Sequence, residues 1–179
     1  KGAYTGEVSA PTYRELGATY TLIGHSERRH IFHETNHEVR QKLESALSVG
    51  LTPVVCVGET LQERREGKVD ETIEAQLRSA MSELVVPANS SIMVAYEPVW
   101  AINTGEACDP AEAERVHALI KRLVAGLTSG LVVPVLYGGS VDVRNIAKFL
   151  AEESIDGVLV GGASVKSDVW PDLVSQAAA

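Results

Sequence analysis

The sequence predicts an α/β fold of the barrel kind, an incomplete (β/α)8 barrel with parallel strands and outer helices. Three observations carry that prediction. Short apolar runs rich in β-branched residues alternate with helical stripes along the whole chain. The runs are apolar without interruption, as in parallel strands covered on both faces. Nearly every run also ends in polar or glycine-rich residues. An open doubly wound sheet gathers its ligand at one switch point, whereas a barrel gathers it at the C-terminal ends of all its strands. Functional-looking residues at so many strand ends favour the barrel. Five strands can be counted, against the eight, in about 250 residues, of a closed barrel.

The first strand, residues 19–23, ends in Gly24-His25-Ser26-Glu27. A helix follows, opened by the capping-box spacing Thr35-x-x-Glu38 and carrying the stripe Val39, Leu43, Ala46 and Leu47. The second strand, residues 53–57, ends in Gly58-Glu59, and the next stripe is Ile73, Leu77, Met81 and Leu84. The third strand, residues 92–96, ends in Glu97-Pro98. Asp109 as N-cap, Pro110 at the first helical position and Glu112 at the third open a long helix. Its stripe is Val116, Leu119, Ile120, Leu123, Val124 and Leu127. The fourth strand, residues 132–137, ends in Gly138-Gly139-Ser140, and Ile146, Phe149 and Leu150 mark a shorter helix. The fifth strand, residues 157–160, ends in Gly161-Gly162. No linker, low-complexity tract or composition break divides residues 1–179, so they read as a single domain.

A net charge of −8 argues against nucleic-acid and anionic-membrane partners, which want basic surfaces. It leaves room for a small anion held by local groups. No stretch is long and apolar enough to span a membrane, and no signal peptide opens the chain. Cys56 and Cys108 are far apart and form no CxxC pair, which reads as a reducing, cytoplasmic setting. The chain starts at Lys1 without a methionine, which hints at a missing beginning.

Glu97 ends an apolar strand, and burial there would raise its pKa and make it a stronger base. The plain alternative is a strand-end glutamate paired with an arginine or lysine. The stiff stem Pro98-Val99-Trp100, followed by Ala101-Ile102-Asn103-Thr104-Gly105, favours the base, because it reads as a hinged lid. His25 reads as an electrophile or proton shuttle, or equally as a capping or surface histidine. Glu27 could be no more than an ion-pair partner of Arg28 or Arg29. Gly138, Gly139, Ser140, Gly161 and Gly162 would point backbone N–H groups at a phosphate. A different function class comes from His30, His33 and His37, which could share a helical face and bind zinc, although their spacing fits no standard ligand motif.

"IGHSERR" (23–29), "CVGET" (56–60), "AYEPVWAINTG" (95–105), "YGGSV" (137–141) and "GVLVGGASV" (157–165) occur in that order. Together they resemble the triosephosphate isomerase family, from "GAYTGE" at Gly2 almost to the C-terminus. The resemblance implies a TIM barrel without its first three strands. It implies an isomerase of glycolysis and gluconeogenesis that interconverts dihydroxyacetone phosphate and glyceraldehyde 3-phosphate without metal or organic cofactor. His25 and Glu97 take the catalytic positions, with Ser26 and Glu27 beside them. Asn103, Ser140, Gly161 and Gly162 take the positions that contact the phosphate. Pro98, Val99, Trp100, Ala101, Ile102, Thr104 and Gly105 match the lid. Asn103 departs from the usual glycine, Glu106 from a common lysine and Cys108 from a small residue. The family's Asn-x-Lys pattern has no match, and Lys1 is no substitute. Turnover by these residues is therefore expected to be absent or weak, with a non-catalytic phosphate-binding fragment as the alternative. The opened barrel edges or face predict a homo-oligomer.

Overall fold

In the computed structural model, residues 3–102, 107–128 and 130–178 are described. Five parallel strands form one sheet in chain order: β1 (Tyr20–Ile23), β2 (Thr52–Val57), β3 (Met93–Tyr96), β4 (Val135–Tyr137) and β5 (Gly157–Val158). The helices are α1 (Ala10–Glu15), α2 (Ser26–His30), α3 (Asn36–Ser48), α4 (Leu61–Arg65), α5 (Val69–Met81), α6 (Pro110–Leu127), α7 (Ile146–Leu150) and α8 (Trp170–Ala177). Single 3-10 turns follow β3 (Val99–Ala101) and β5 (Gly162–Val165).

The caps explain where the helices begin. Thr35 and Glu38 exchange side-chain and backbone hydrogen bonds at the start of α3, and Thr60 and Glu63 do the same at α4. At α6 the Asp109 side chain accepts from the N–H groups of Ala111 and Glu112. Val39, Leu43, Ala46 and Leu47 of α3 are all buried, as their spacing predicts. Leu84, counted in the α5 stripe, lies beyond the last helical residue, Met81. The fourth strand starts at Val135 rather than 132, because Pro134 has no N–H to give and Val132 is 90% exposed. The fifth stops at Val158 rather than 160.

The sheet has two unlike faces. One carries Ile23, Val55, Val57, Val94, Tyr96, Val135 and Tyr137, and packs with α3, α5 and α6 into the main core. The other carries a thin apolar layer, with Val54, Cys56 and Ala95 buried and Met93, Leu136 and Leu159 partly buried. Leu22, which pairs with Val54, is 49% exposed. Val54 therefore lies on the thinly covered face. Val94 and Val133 belong to the helix-covered core. The register pairs Val55 with Val94, one residue along from Val54, and a one-residue step turns a side chain to the opposite face. Among the described residues, β1 and β5 each have a single strand neighbour. No side chain of residues 3–16 is buried, so that segment does not fill in the thin face.

Candidate active site

The C-terminal ends of the strands bring the expected pair together. Glu97 follows β3 directly, and its N–H donates to the carbonyl of Val57 at 2.7 Å, which holds it in line with β2. Glycines make the room. A Cβ on Gly58 would lie 1.8 Å from the Glu97 carbonyl oxygen, and one on Gly138 would lie 2.9 Å from Glu97 Cγ. Glu97 is 2% exposed. His25 Nε2 sits 3.1 Å from Glu97 Oε1, and the Ser26 N–H donates to Oε2 at 3.0 Å.

His25 is the N-cap of α2, and its Nδ1 accepts from the Glu27 N–H at 3.3 Å. Only an unprotonated Nδ1 can accept, so in this arrangement the ring proton lies on Nε2, facing Glu97. Burial pushes the Glu97 carboxyl above the usual carboxylate range. The facing His25, the Ser26 N–H, the Cys56 thiol and the Arg29 charge pull it back without cancelling the rise. The result is a carboxylate of raised basicity against a ring N–H donor. The geometry can take a proton from carbon and hand one between oxygens.

Glu27 is exposed and contributes its backbone N–H to His25. The ion-pair role foreseen for it falls elsewhere: Arg28 pairs with Glu34 at 3.2 Å, and Arg29 turns to Gly24, Asn36 and Cys56. The zinc reading fails on geometry. His30 ends α2, His33 has a left-handed φ of 57°, and His37 sits in α3, so the three share no helical face. Among the described residues, no group of three or more histidines, cysteines or carboxylates is placed to hold a metal ion.

The stem of the expected lid is anchored by a residue the sequence reading left without a role. Glu59 is fully buried and follows β2 after one glycine, Gly58. Its carboxylate accepts from Trp100 Nε1–H at 2.7 Å and from the Tyr96 hydroxyl at 3.1 and 3.2 Å. Its backbone carbonyl accepts from the Val99 N–H at 3.0 Å. Arg64 lies 3.6 Å from Oε1 and stacks 4.5 Å over the Trp100 ring. Pro98, Val99, Trp100, Ala101 and Ile102 are thus fixed beside the site. On the far side, the Cys108 N–H donates to the Tyr137 hydroxyl at 3.1 Å. Asn103, Thr104, Gly105 and Glu106 lie outside the described residues.

Ser140, Gly161 and Gly162 follow β4 and β5 at the same end of the sheet. Gly139 passes so close to Tyr137 that a Cβ would lie 2.2 Å from the hydroxyl. The Ser140 carbonyl is held by Asn145 Nδ2 at 3.1 Å. A cavity of about 570 Å³ lined by Met93, Leu131, Pro134 and Leu136 lies at the opposite end, where β3 and β4 begin, away from Glu97.

The sequence model of the family described as Triosephosphate isomerase matches residues 1–177. The triosephosphate isomerase of Pseudoalteromonas translucida (strain TAC 125) is 45% identical over 178 residues, which cover 98% of this chain and 72% of that protein. That of Natranaerobius thermophilus (strain ATCC BAA-1301 / DSM 18059 / JW/NM-WN-LF) is 44% identical, covering 98% and 70%. That of Paracidovorax citrulli (strain AAC00-1) is 47% identical, covering 99% and 70%.

Proposed function

The chain belongs to the triosephosphate isomerase family, and on that footing we propose that Glu97 and His25 are the proton-transferring pair of a triose-phosphate isomerase. The substrate is dihydroxyacetone phosphate or glyceraldehyde 3-phosphate. The observation that carries this reading is the 3.1 Å contact between a deeply buried Glu97 carboxylate and the Nε2 of a histidine capped through its other nitrogen.

The substrate enters between the two side chains, opening their contact. Glu97 takes a proton from the carbon beside the carbonyl, and the electron pair moves to the carbonyl oxygen. His25 Nε2–H donates to that oxygen, and the ring recovers a proton from the neighbouring hydroxyl. Glu97 then returns its proton to the adjacent carbon, so that nothing is gained or lost. Backbone N–H groups at Ser140, Gly161 and Gly162, with that of Asn103, hold the phosphate, while Ser26 and Glu27 orient the pair. The stem at Pro98, Val99, Trp100, Ala101 and Ile102 carries a lid completed by Thr104 and Gly105, which keeps water from the intermediate.

The open sheet is read as five units of a TIM barrel in one domain, residues 1–179, lacking the first three strands. The Asn-x-Lys that the family leads one to expect has no counterpart in these residues, so their own turnover is weak or absent. One electrostatic donor is worth roughly 100- to 1,000-fold in rate. The thin apolar face, with β1 and β5 each unpaired on one side among the described residues, favours self-association. The setting is cytoplasmic, and no organic cofactor is used. An isomerase assay of the 179-residue chain with His25→Ala and Glu97→Gln tests the assignment. Each substitution removes whatever activity is present, and activity indifferent to both would reject the pair.

A further inference from the structure

Arg29 is half-buried at the C-terminal end of the sheet, and its three described side-chain hydrogen bonds all go to neutral acceptors. Nε donates to the Gly24 carbonyl at 2.6 Å, one terminal nitrogen to the Cys56 carbonyl at 3.1 Å and the other to Asn36 Oδ1 at 2.6 Å. Its neighbour Arg28, with Lys42, takes up Glu34 instead. The fold is shaped around this guanidinium. A Cβ on Gly24, whose φ is +72°, would lie 2.7 Å from an Arg29 terminal nitrogen. Glycine at 24 thus serves the left-handed turn and also leaves space for the cation.

We propose that Arg29 is a positioning residue of this site, locking the peptide that leads into His25 to the strand that carries Cys56 and holding a permanent positive charge close to Glu97. The Gly24 carbonyl belongs to the peptide that precedes His25, and the Arg29 N–H also bonds the His25 carbonyl at 3.0 Å. One residue therefore fixes the histidine from both sides. Glu97 is touched by His25 Nε2 and the Ser26 N–H at 3.1 and 3.0 Å, and the Arg29 charge and the Cys56 thiol of β2 also act on its carboxyl. Arg29 in turn feels Cys56, Glu34 and Glu97. Burial lowers the guanidinium's pKa, yet arginine starts so high that the group stays charged. With His25 and the Ser26 N–H, it thereby opposes the rise that burial imposes on the Glu97 carboxyl.

This inference rests on Glu97 being the base, and it is tested on the carboxylate itself, so a chain without turnover still answers. Carbon-13-labelled glutamate is titrated by NMR in the parent chain, in Arg29→Gln and in Arg29→Lys, with Glu97→Gln to assign the resonance. Arg29→Gln should raise the Glu97 midpoint by roughly half a unit to one unit, lowering its ratio of ionised to protonated form about three- to tenfold at a given pH. Arg29→Lys keeps the charge but cannot bridge three acceptors. Its Glu97 midpoint should stay within about 0.3 units of the parent, while the His25 ring resonances move. An unchanged midpoint in Arg29→Gln, or an equal rise in both variants, overturns the charge role. If Arg29→Gln does not fold, Arg29→Lys decides alone, and unmoved His25 resonances reject the positioning. A Glu97 that titrates at the ordinary carboxylate value in the parent chain would instead reject the reading of Glu97 as base.

Discussion

Glu97 lowers stability for the sake of basicity. Its folded carboxyl holds a proton more tightly than an unfolded glutamate does, because burial outweighs the surrounding donors. The associated stability is therefore fully present below the ordinary carboxylate range and is lost as pH rises through the folded midpoint. Glu97→Gln removes that loss while still accepting from the Ser26 N–H. Thermal melts should show a higher Tm than the parent at about pH 7, by about 2–4 °C for each kcal/mol recovered, and no gap near pH 4. A gap that is constant with pH would contradict the raised carboxyl. Gly58 offers a second residue-scale test. An added Cβ meets the Glu97 backbone at 1.8 Å, so Gly58→Ala should cost on the order of 3 kcal/mol or more in urea unfolding. Glu97 was legible in the sequence because an apolar run ended in a charge. Glu59 has the same signature, but its donors Tyr96 and Trp100 lie 37 and 41 residues away. Which strand end faces which cannot be read from spacing alone.

At the scale of elements, the two stems of the proposed lid are each pinned to the end of a strand: Trp100 to Glu59 after β2, and Cys108 to Tyr137 of β4. Trp100→Phe leaves an aromatic ring, though a smaller one, for Arg64 to stack on and deletes the N–H. The buried Glu59 then loses its shortest donor, at a cost of roughly 1–3 kcal/mol. Burial already holds the Glu59 carboxyl above the usual range, so the loss should grow as pH rises. Urea midpoints at two pH values check this, and a pH-independent cost would reject the Glu59 anchor. The long helices α3 and α6 were legible because caps and stripes agree. The short helices α1, α2 and α4 span five or six residues, too few for a period to show. The zinc trio failed at this scale, since the turn at His33 separates two helices that spacing alone would merge.

The molecule as a whole is a sheet with one dressed face and one thin one. The alternation of strands and helices was plain in the sequence, and so was their order. Which residues line the thin face was not, because one step of register separates Val54 from Val94's partner Val55. At about 25 cal/mol per Å² of wet apolar surface, a few hundred Å² costs several kcal/mol, a large share of the roughly 5–15 kcal/mol that stabilise a domain. Exposed Tyr20 and Leu22 sit on that face beside the edge of β1 that has no strand neighbour among the described residues. Light scattering at micromolar concentration should therefore find self-association, and a compact monomer that melts cooperatively would refute it. The central claim, that Glu97 moves a proton to and from carbon with His25 on the oxygens, is tested most directly by solvent exchange. Dihydroxyacetone phosphate is held with the chain in D2O and deuterium at its carbon is followed by NMR. The account predicts slow incorporation that Glu97→Gln abolishes; incorporation at the same rate in Glu97→Gln would contradict it.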